Sequence, residues 1–198
     1  MKRFLAACLL SGAVAFSAQA ALNDGDVAPD FTAQAALAGK AFSFSLKETL
    51  KKGPVVVYFY PSAYTHGCNI QAHTFAEQHD QFVAAGATVV GVSLDSLARL
   101  KEFSADPDYC AGKLVVASDA DGRIARAYAL KVSAAVAGAK DTRGIEIDHG
   151  FAERTTFVVR PDGKIAATIG GVSPAANVEQ ALQKVRQLGA ARPSASKP

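Results

Sequence analysis

The chain has 198 residues, 49% of them hydrophobic and 20% charged, the balance of an ordinary globular domain rather than of a disordered chain. Its formal net charge of +3 is small and no long basic run occurs, which argues against a nucleic-acid partner. No stretch is apolar over the length that a membrane span needs.

In chain order, the first element reads as a cleavable secretory signal over residues 1–20. Lys2 and Arg3 form its charged end, Phe4 to Phe16 its apolar stretch, and Ala18-Gln19-Ala20 a small-x-small cleavage site. Leu5-Ala6-Ala7-Cys8 resembles a lipoprotein acylation box, but would leave almost no apolar core ahead of it, so cleavage after Ala20 is favoured. The protein is therefore expected to be periplasmic or otherwise exported. Cleavage would discard Cys8 and leave two cysteines, Cys68 and Cys110, in a disulfide-permissive compartment.

Residues 21–190 read as one domain, and residues 191–198 as a disordered, low-complexity tail. Pro54-Val-Val-Val-Tyr-Phe-Tyr60 is a continuous β-branched and aromatic run, the pattern of a strand buried on both faces, and Pro61 stops it. Cys68, Ala72, Phe75, His79 and Phe82 recur at three- and four-residue steps, which predicts a helix from Cys68 to near Gly86. Thr88 to Leu94 is a second buried strand, followed by a short helix over Leu97 to Phe103 that Pro107 cannot continue. Leu114 to Ala117 reads as a shorter strand with a helix after Asp121. The segment 131–150 has no firm pattern and reads as a surface loop.

Thr155 to Arg160 and Lys164 to Ile169, joined by Pro161-Asp-Gly163, form a predicted hairpin. The last helix places Val178, Ala181, Leu182, Val185 and Leu188 on one face, with Gly189 expected to cap its end. This βαβα order, finishing in a hairpin and a helix, predicts an α/β fold of thioredoxin-like type, a mixed sheet flanked by helices on both faces.

The chemistry concentrates in Tyr60-Pro-Ser-Ala-Tyr-Thr-His-Gly-Cys-Asn-Ile-Gln71. A buried strand delivers the chain to a short loop at its carboxyl end, and Cys68 opens the next helix. Binding crevices of open α/β sheets lie at such loops. The free N–H groups and dipole of a helix's first turn stabilise an anion, so the position favours the thiolate, the form that attacks a peroxide O–O bond. An inert buried thiol is the alternative.

Pro61-x-x-x-Thr65-x-x-Cys68 resembles the active-site motif of the peroxiredoxins, the alkyl hydroperoxide reductase and thiol-specific antioxidant group. The likeness runs from Ala28-Pro-Asp-Phe31 to Arg154-Thr-Thr-Phe-Val-Val159. It implies that Cys68 is the peroxidatic thiol, that Thr65 hydrogen-bonds the thiolate and peroxide, that Pro61 shields the pocket, and that Arg154 holds the thiolate and polarises the substrate. Read without the motif, Thr65 is a helix cap, Pro61 a strand stop and Arg154 a surface charge.

The chain departs from that family twice. The second cysteine that many members carry five residues on is His73 here, and a frequent acidic residue three positions on is Gln71. Cys110 is then the remaining intramolecular resolving candidate, with a free half-buried thiol as its alternative, and bridging would require the first helix turn to unwind.

The implied activity is reduction of hydrogen peroxide and small organic hydroperoxides, with a thioredoxin-like dithiol protein as reductant and no metal, flavin or haem cofactor. The resemblance leaves monomer and homodimer open. Two other readings compete. A thiol–disulfide oxidoreductase would need Cys-x-x-Cys, where Thr65 occupies the first position. An exported copper-binding metallochaperone would draw on Cys68 with His66, His73 or His79, which cannot all converge.

Overall fold

The computed structural model describes residues 21–190. The expected signal segment 1–20 and the tail 191–198 lie outside the described residues.

A seven-stranded mixed sheet forms the centre, in the order β2-β1-β5-β4-β3-β8-β9. Its strands are β1 (Thr32–Leu37), β2 (Lys40–Ser45), β3 (Val55–Phe59), β4 (Thr88–Ser93), β5 (Val115–Ser118), β8 (Thr155–Val159) and β9 (Ile165–Gly170). The three central strands β5, β4 and β3 run parallel, while β1, β8 and β9 each pair antiparallel with their neighbours. β3 is buried at every position, as its continuous apolar run predicts. Its side chains alternate between two cores. Val56 and Tyr58 face one cluster, shared with α2 (His66–Glu77), α3 (His79–Ala84), α4 (Leu97–Ala105) and α6 (Pro174–Ala190); Val55, Val57 and Phe59 face the other, under α1 (Leu46–Leu50) and α5 (Arg123–Ala127). The expected α/β sheet with helices on both faces is therefore present.

Several expectations change. The single helix foreseen from Cys68 to Gly86 starts at His66 and is interrupted at Gln78, whose φ of −92° and ψ of 4° leave the α region. Phe75 and Phe82 still bury in one core across the break, so the periodicity concealed it. Gly189 does not cap α6 but lies inside it. The β1–β2 hairpin and α1 were not foreseen, because the alanine-rich β1 lacks the β-branched alternation that marks a strand. Ala38 and Gly39 turn that hairpin with φ of 48° and 78°, a left-handed geometry.

The segment 131–150 is more than a surface loop. It begins with β6 (Val132–Ser133), paired to β7 (Phe151–Ala152), and it buries Asp141 and Ile147. Among the described residues no helix is long and apolar enough to cross a membrane.

Candidate active site

At the carboxyl end of β3 the chain turns through residues 60–65 and enters α2. Thr65 is the N-cap residue, and Asn69 N–H closes the first helical hydrogen bond on Thr65 O at 2.8 Å. Cys68, two residues inside the helix, lies among the N–H groups that no upstream carbonyl satisfies. Its side chain is only 2% exposed. The sulfur thus sits at the positive end of the helix dipole in surroundings where water screens little.

Arg154 reaches it from the turn between β7 and β8. Its Nη2 donates to Cys68 Sγ at 3.3 Å, and its Nη1 donates to Gln71 Oε1. Gln71 is fully buried and passes the contact on: its Nε2 donates to Asn177 Oδ1 at 3.0 Å, and Asn177 Nδ2 donates to Ile169 O at 3.0 Å. Thr156 Oγ1 also donates to Asn177 Oδ1. The guanidinium is therefore aimed by a chain of buried neutral groups running from α2 to α6 and β9.

Gly67 makes room for this. A Cβ at that position would lie 3.1 Å from Arg154 Nη2 and 3.5 Å from Pro174 Cγ. Its φ is not positive, so the backbone itself would accept alanine, which helix propensity favours by up to about 1 kcal/mol. Gly67→Ala is thus expected to keep or raise the thermal midpoint. It should slow the reaction of the Cys68 sulfur with an added electrophile by roughly tenfold, because small misplacements of a group beside a reacting atom cost orders of magnitude. Rapid-mixing kinetics and a melting curve check the two halves, and an unchanged rate would show that Arg154 has slack.

The sequence-derived residues do not all converge. Cys68, Arg154 and the helix entry do. Thr65 departs from the role the resemblance implied: its hydroxyl donates to Ser62 O at 2.8 Å and not to Cys68, so its single proton is spent inside the loop. It makes no side-chain cap to the helix either. Pro61 is half-buried in the loop.

Cys110 lies in the turn after α4, fully buried and unbridged. Burial pushes its thiol far up from the ordinary range, and the nearby Asp106 charge adds to this. Both cysteines belong to one apolar cluster that also holds Tyr58, Tyr60 and Tyr64. His73 stands where a second cysteine is often found, and its Nδ1 donates to Asp108 O at 2.9 Å. It ties α2 to the turn that carries Cys110. His66 and His79 do not join it: among the described residues no three or more His, Cys, Asp and Glu side chains are grouped to hold a metal.

Sequence reasoning missed a second polar centre that holds the loop. Asp95, fully buried just beyond β4, accepts from Ala63 N–H at 2.7 Å, Ser62 Oγ at 2.9 Å, Ser93 Oγ at 2.7 Å and His149 Nε2 at 2.9 Å. Arg99 Nε lies 2.9 Å from it, and Arg99 Nη2 donates to Ala63 O at 2.9 Å and to Asp141 Oδ2 at 2.8 Å. Thr142 donates both its N–H and its hydroxyl to Tyr64 O, at 2.9 and 2.8 Å. The Arg143 guanidinium lies 3.3 Å from the Tyr64 ring centroid.

Tyr64 itself has a φ of 61°, a strained setting for a bulky residue that persists only where its surroundings impose it. Segment 141–149 is the clasp that does so. A charged Asp beyond a buried strand was the only local signal; Ser93 and Arg99 are its neighbours in sequence, but Ala63, Ser62 and His149 lie 32 to 54 residues away.

Comparison with known proteins bears on the family and the fold. The AhpC/TSA family profile matches residues 25–168. A peroxiredoxin of Mycobacterium tuberculosis strain H37Rv is 30% identical over 144 residues, covering 72% of this chain and 84% of that protein. Chloroplastic peroxiredoxin Q of Oryza sativa subsp. japonica is 44% identical over 82 residues, which spans 41% of this chain and only 36% of the rice protein's length.

Among solved structures, peroxidoxin BcpB of Mycobacterium tuberculosis superposes with a TM-score of 0.70 at 28% identity, covering 87% of this chain and 99% of that one. Peroxiredoxin Q of Xanthomonas campestris gives 0.62 at 25% identity over 79% and 90%. The expected thioredoxin-like architecture is thereby confirmed. Because the family profile spans most of the chain and takes in Pro61, Thr65, Cys68 and Arg154, the chain belongs to the AhpC/TSA family.

Proposed function

We propose that the protein is a thiol-dependent peroxidase acting on hydrogen peroxide and small organic hydroperoxides through Cys68. The observation that carries this reading is the 3.3 Å contact of Arg154 Nη2 with Cys68 Sγ at the head of α2. A cation and a helix N-terminus there both face the sulfur. In the reaction, the Cys68 sulfur lone pair attacks the nearer peroxide oxygen and the O–O bond breaks. Sulfur is oxidised to Cys68–SOH, and the departing alkoxide or hydroxide leaves as alcohol or water after taking a proton. The Arg154 guanidinium stabilises the negative charge that grows on the departing oxygen.

Regeneration uses Cys110. Its thiol loses a proton and attacks the Cys68 sulfenic sulfur, expelling water and forming a disulfide. A thioredoxin-like dithiol protein then reduces that bond, becoming a disulfide itself. Cys110 is buried, so the step requires the first turn of α2 and the turn around Cys110 to open. The dithiol reading lacks its second cysteine, since Thr65 stands at the first position of the would-be Cys-x-x-Cys.

Peptide mass analysis under non-reducing conditions, after one equivalent of hydrogen peroxide, tests the sequence of steps. A Cys68–Cys110 bridge is expected. Peroxide consumed with Cys68 unmodified would overturn the peroxidase reading. A Cys68 sulfenate that dimedone traps but that never bridges would overturn the role of Cys110 alone.

A further inference from the structure

Residues 136–147 form an excursion that closes on itself. Ala139 N–H donates to Val136 O at 3.0 Å, Asp141 N–H to Ile145 O at 2.8 Å and Ile147 N–H to Ala139 O at 2.8 Å. Of these residues only Asp141 and Ile147 are buried. Among the described residues, the polar contacts that the excursion makes outside itself go to α4, to α2 and to Tyr64. Asp141 pairs with Arg99 of α4 at 2.8 Å, and Arg143 with Glu102 of α4 at 3.3 Å. Asn69, the residue after Cys68, donates from Nδ2 to Thr142 Oγ1 at 3.4 Å. Thr142 holds the Tyr64 carbonyl, and Arg143 covers the Tyr64 ring.

Tyr64 is where the surroundings of the two cysteines meet. It sits in the loop that enters α2, and its ring is buried. That ring packs T-shaped against Phe103 of α4 and against Tyr109, the neighbour of Cys110, with centroids 4.9 and 5.7 Å away. Both sulfurs are buried and unbridged. A disulfide needs Cα atoms within about 7 Å and a defined dihedral, so joining them shifts the entry of α2 and the Cys110 turn. Either shift disturbs Tyr64, and through it Thr142 and Arg143. We propose that residues 136–147 are a redox-coupled flap, seated on Tyr64 in the dithiol protein and released when Cys68 and Cys110 are joined.

The energetics suit a switch. The flap buries little apolar surface, and a partly exposed ion pair such as Arg143–Glu102 adds little to its hold. Segments with few buried apolar contacts open at low cost. Such coupling is reciprocal: if the bridge releases the flap, release of the flap favours the opening that precedes the bridge.

This inference rests on Cys110 being the partner of Cys68, and the test separates the two. Diamide makes the bridged form without peroxide, taking two electrons and two protons from the thiols as the S–S bond forms; mass analysis verifies the bridge. Trypsin cleavage after Lys140 and Arg143 then follows the flap. It is expected to be about tenfold faster in the bridged protein than in the dithiol protein. Diamide-treated Cys110→Ser should stay at the dithiol rate.

The reciprocal half is read in reduced protein, where N-ethylmaleimide reaches buried Cys110 only when its turn opens. Arg143→Met removes the charge over the Tyr64 ring, and Thr142→Val removes the hydroxyl that donates to Tyr64 O. Each should speed Cys110 labelling roughly fivefold or more. Arg143→Lys keeps a cation there and should restore most of the protection. A protein that diamide never bridges overturns the Cys110 assignment and the switch with it. A bridge that forms with equal cleavage in the two forms, or labelling at the wild-type rate in both variants, overturns the switch alone. Should the variants fail to fold, the cleavage comparison uses the unaltered chain and decides.

Discussion

Cys68→Ser is expected to abolish peroxide reduction, with a loss of at least about a thousandfold, or some 4 kcal/mol of barrier. A serine hydroxyl stays protonated at neutral pH and lacks the polarisable sulfur lone pair that cleaves an O–O bond. The surrounding structure would tolerate the change. Serine is close in size, and its oxygen can accept the Arg154 hydrogen bond that the sulfur receives at 3.3 Å. Circular dichroism should therefore show an intact fold.

Cys110→Ser separates oxidation from recycling. Cys110 is fully buried in its own turn, and Arg154 donates to Cys68 Sγ and Gln71 Oε1 instead. The first oxidation of Cys68 should proceed at the wild-type rate, and sulfenate should then accumulate. Single-turnover rapid mixing with a peroxide probe measures both variants. A Cys68→Ser protein that still consumes peroxide would transfer the chemistry to another group; a Cys110→Ser protein that is slow in its first turnover would show that Cys110 shapes the reactive state.

The parts of this arrangement legible in the sequence are those whose signal is local. The β-branched runs of β3 and β4 announce buried strands, the Asp-Gly turn announces the β8–β9 hairpin, and the strand–loop–helix junction announces Cys68. β1 was lost because alanine carries no strand preference, and the break at Gln78 because neither glycine nor proline marks it. Gly189 misled for the opposite reason, since it adopts helical backbone inside α6.

Long-range polar contacts left no local trace. Arg154 was reached only through resemblance, 86 residues from its sulfur. Asn177 lies 106 residues from Gln71 and reads in sequence as one polar residue near the start of an amphipathic helix. Thr65 shows the limit from the other side: the motif named the residue, but the structure directs its hydroxyl to Ser62 O.

The clasp on the active-site loop carries the second large effect. Asp95→Ala is expected to destabilise the fold by about 3–5 kcal/mol, the cost of removing one partner from a buried charged network. It would strand the Ala63 N–H, two serine hydroxyls and the His149 and Arg99 side chains at once. Protein that remains folded should lose roughly a hundredfold in peroxide rate, because Tyr64 can relax from its left-handed backbone and carry the entry of α2 with it.

Titration of the same network gives the pH profile. Burial pushes the Asp95 carboxyl up, but hydrogen bonds from His149, Ala63 and Ser93 outweigh it and hold the carboxyl below its ordinary 3.8. Burial lowers His149, yet its hydrogen bond to Asp95 and its contact with Gly150 leave it above its ordinary 6.5. The Asp95 contribution is therefore present above about pH 4 and lost as pH falls through the lower folded value. The His149 contribution is complete below about pH 6.5 and lost as pH rises through the higher folded value. Denaturant unfolding across pH should show this network strongest between those limits, with a decline above neutrality that His149→Gln flattens. An Asp95→Ala cost below about 1 kcal/mol, within the range of an exposed ion pair, would show that the loop is held by other contacts.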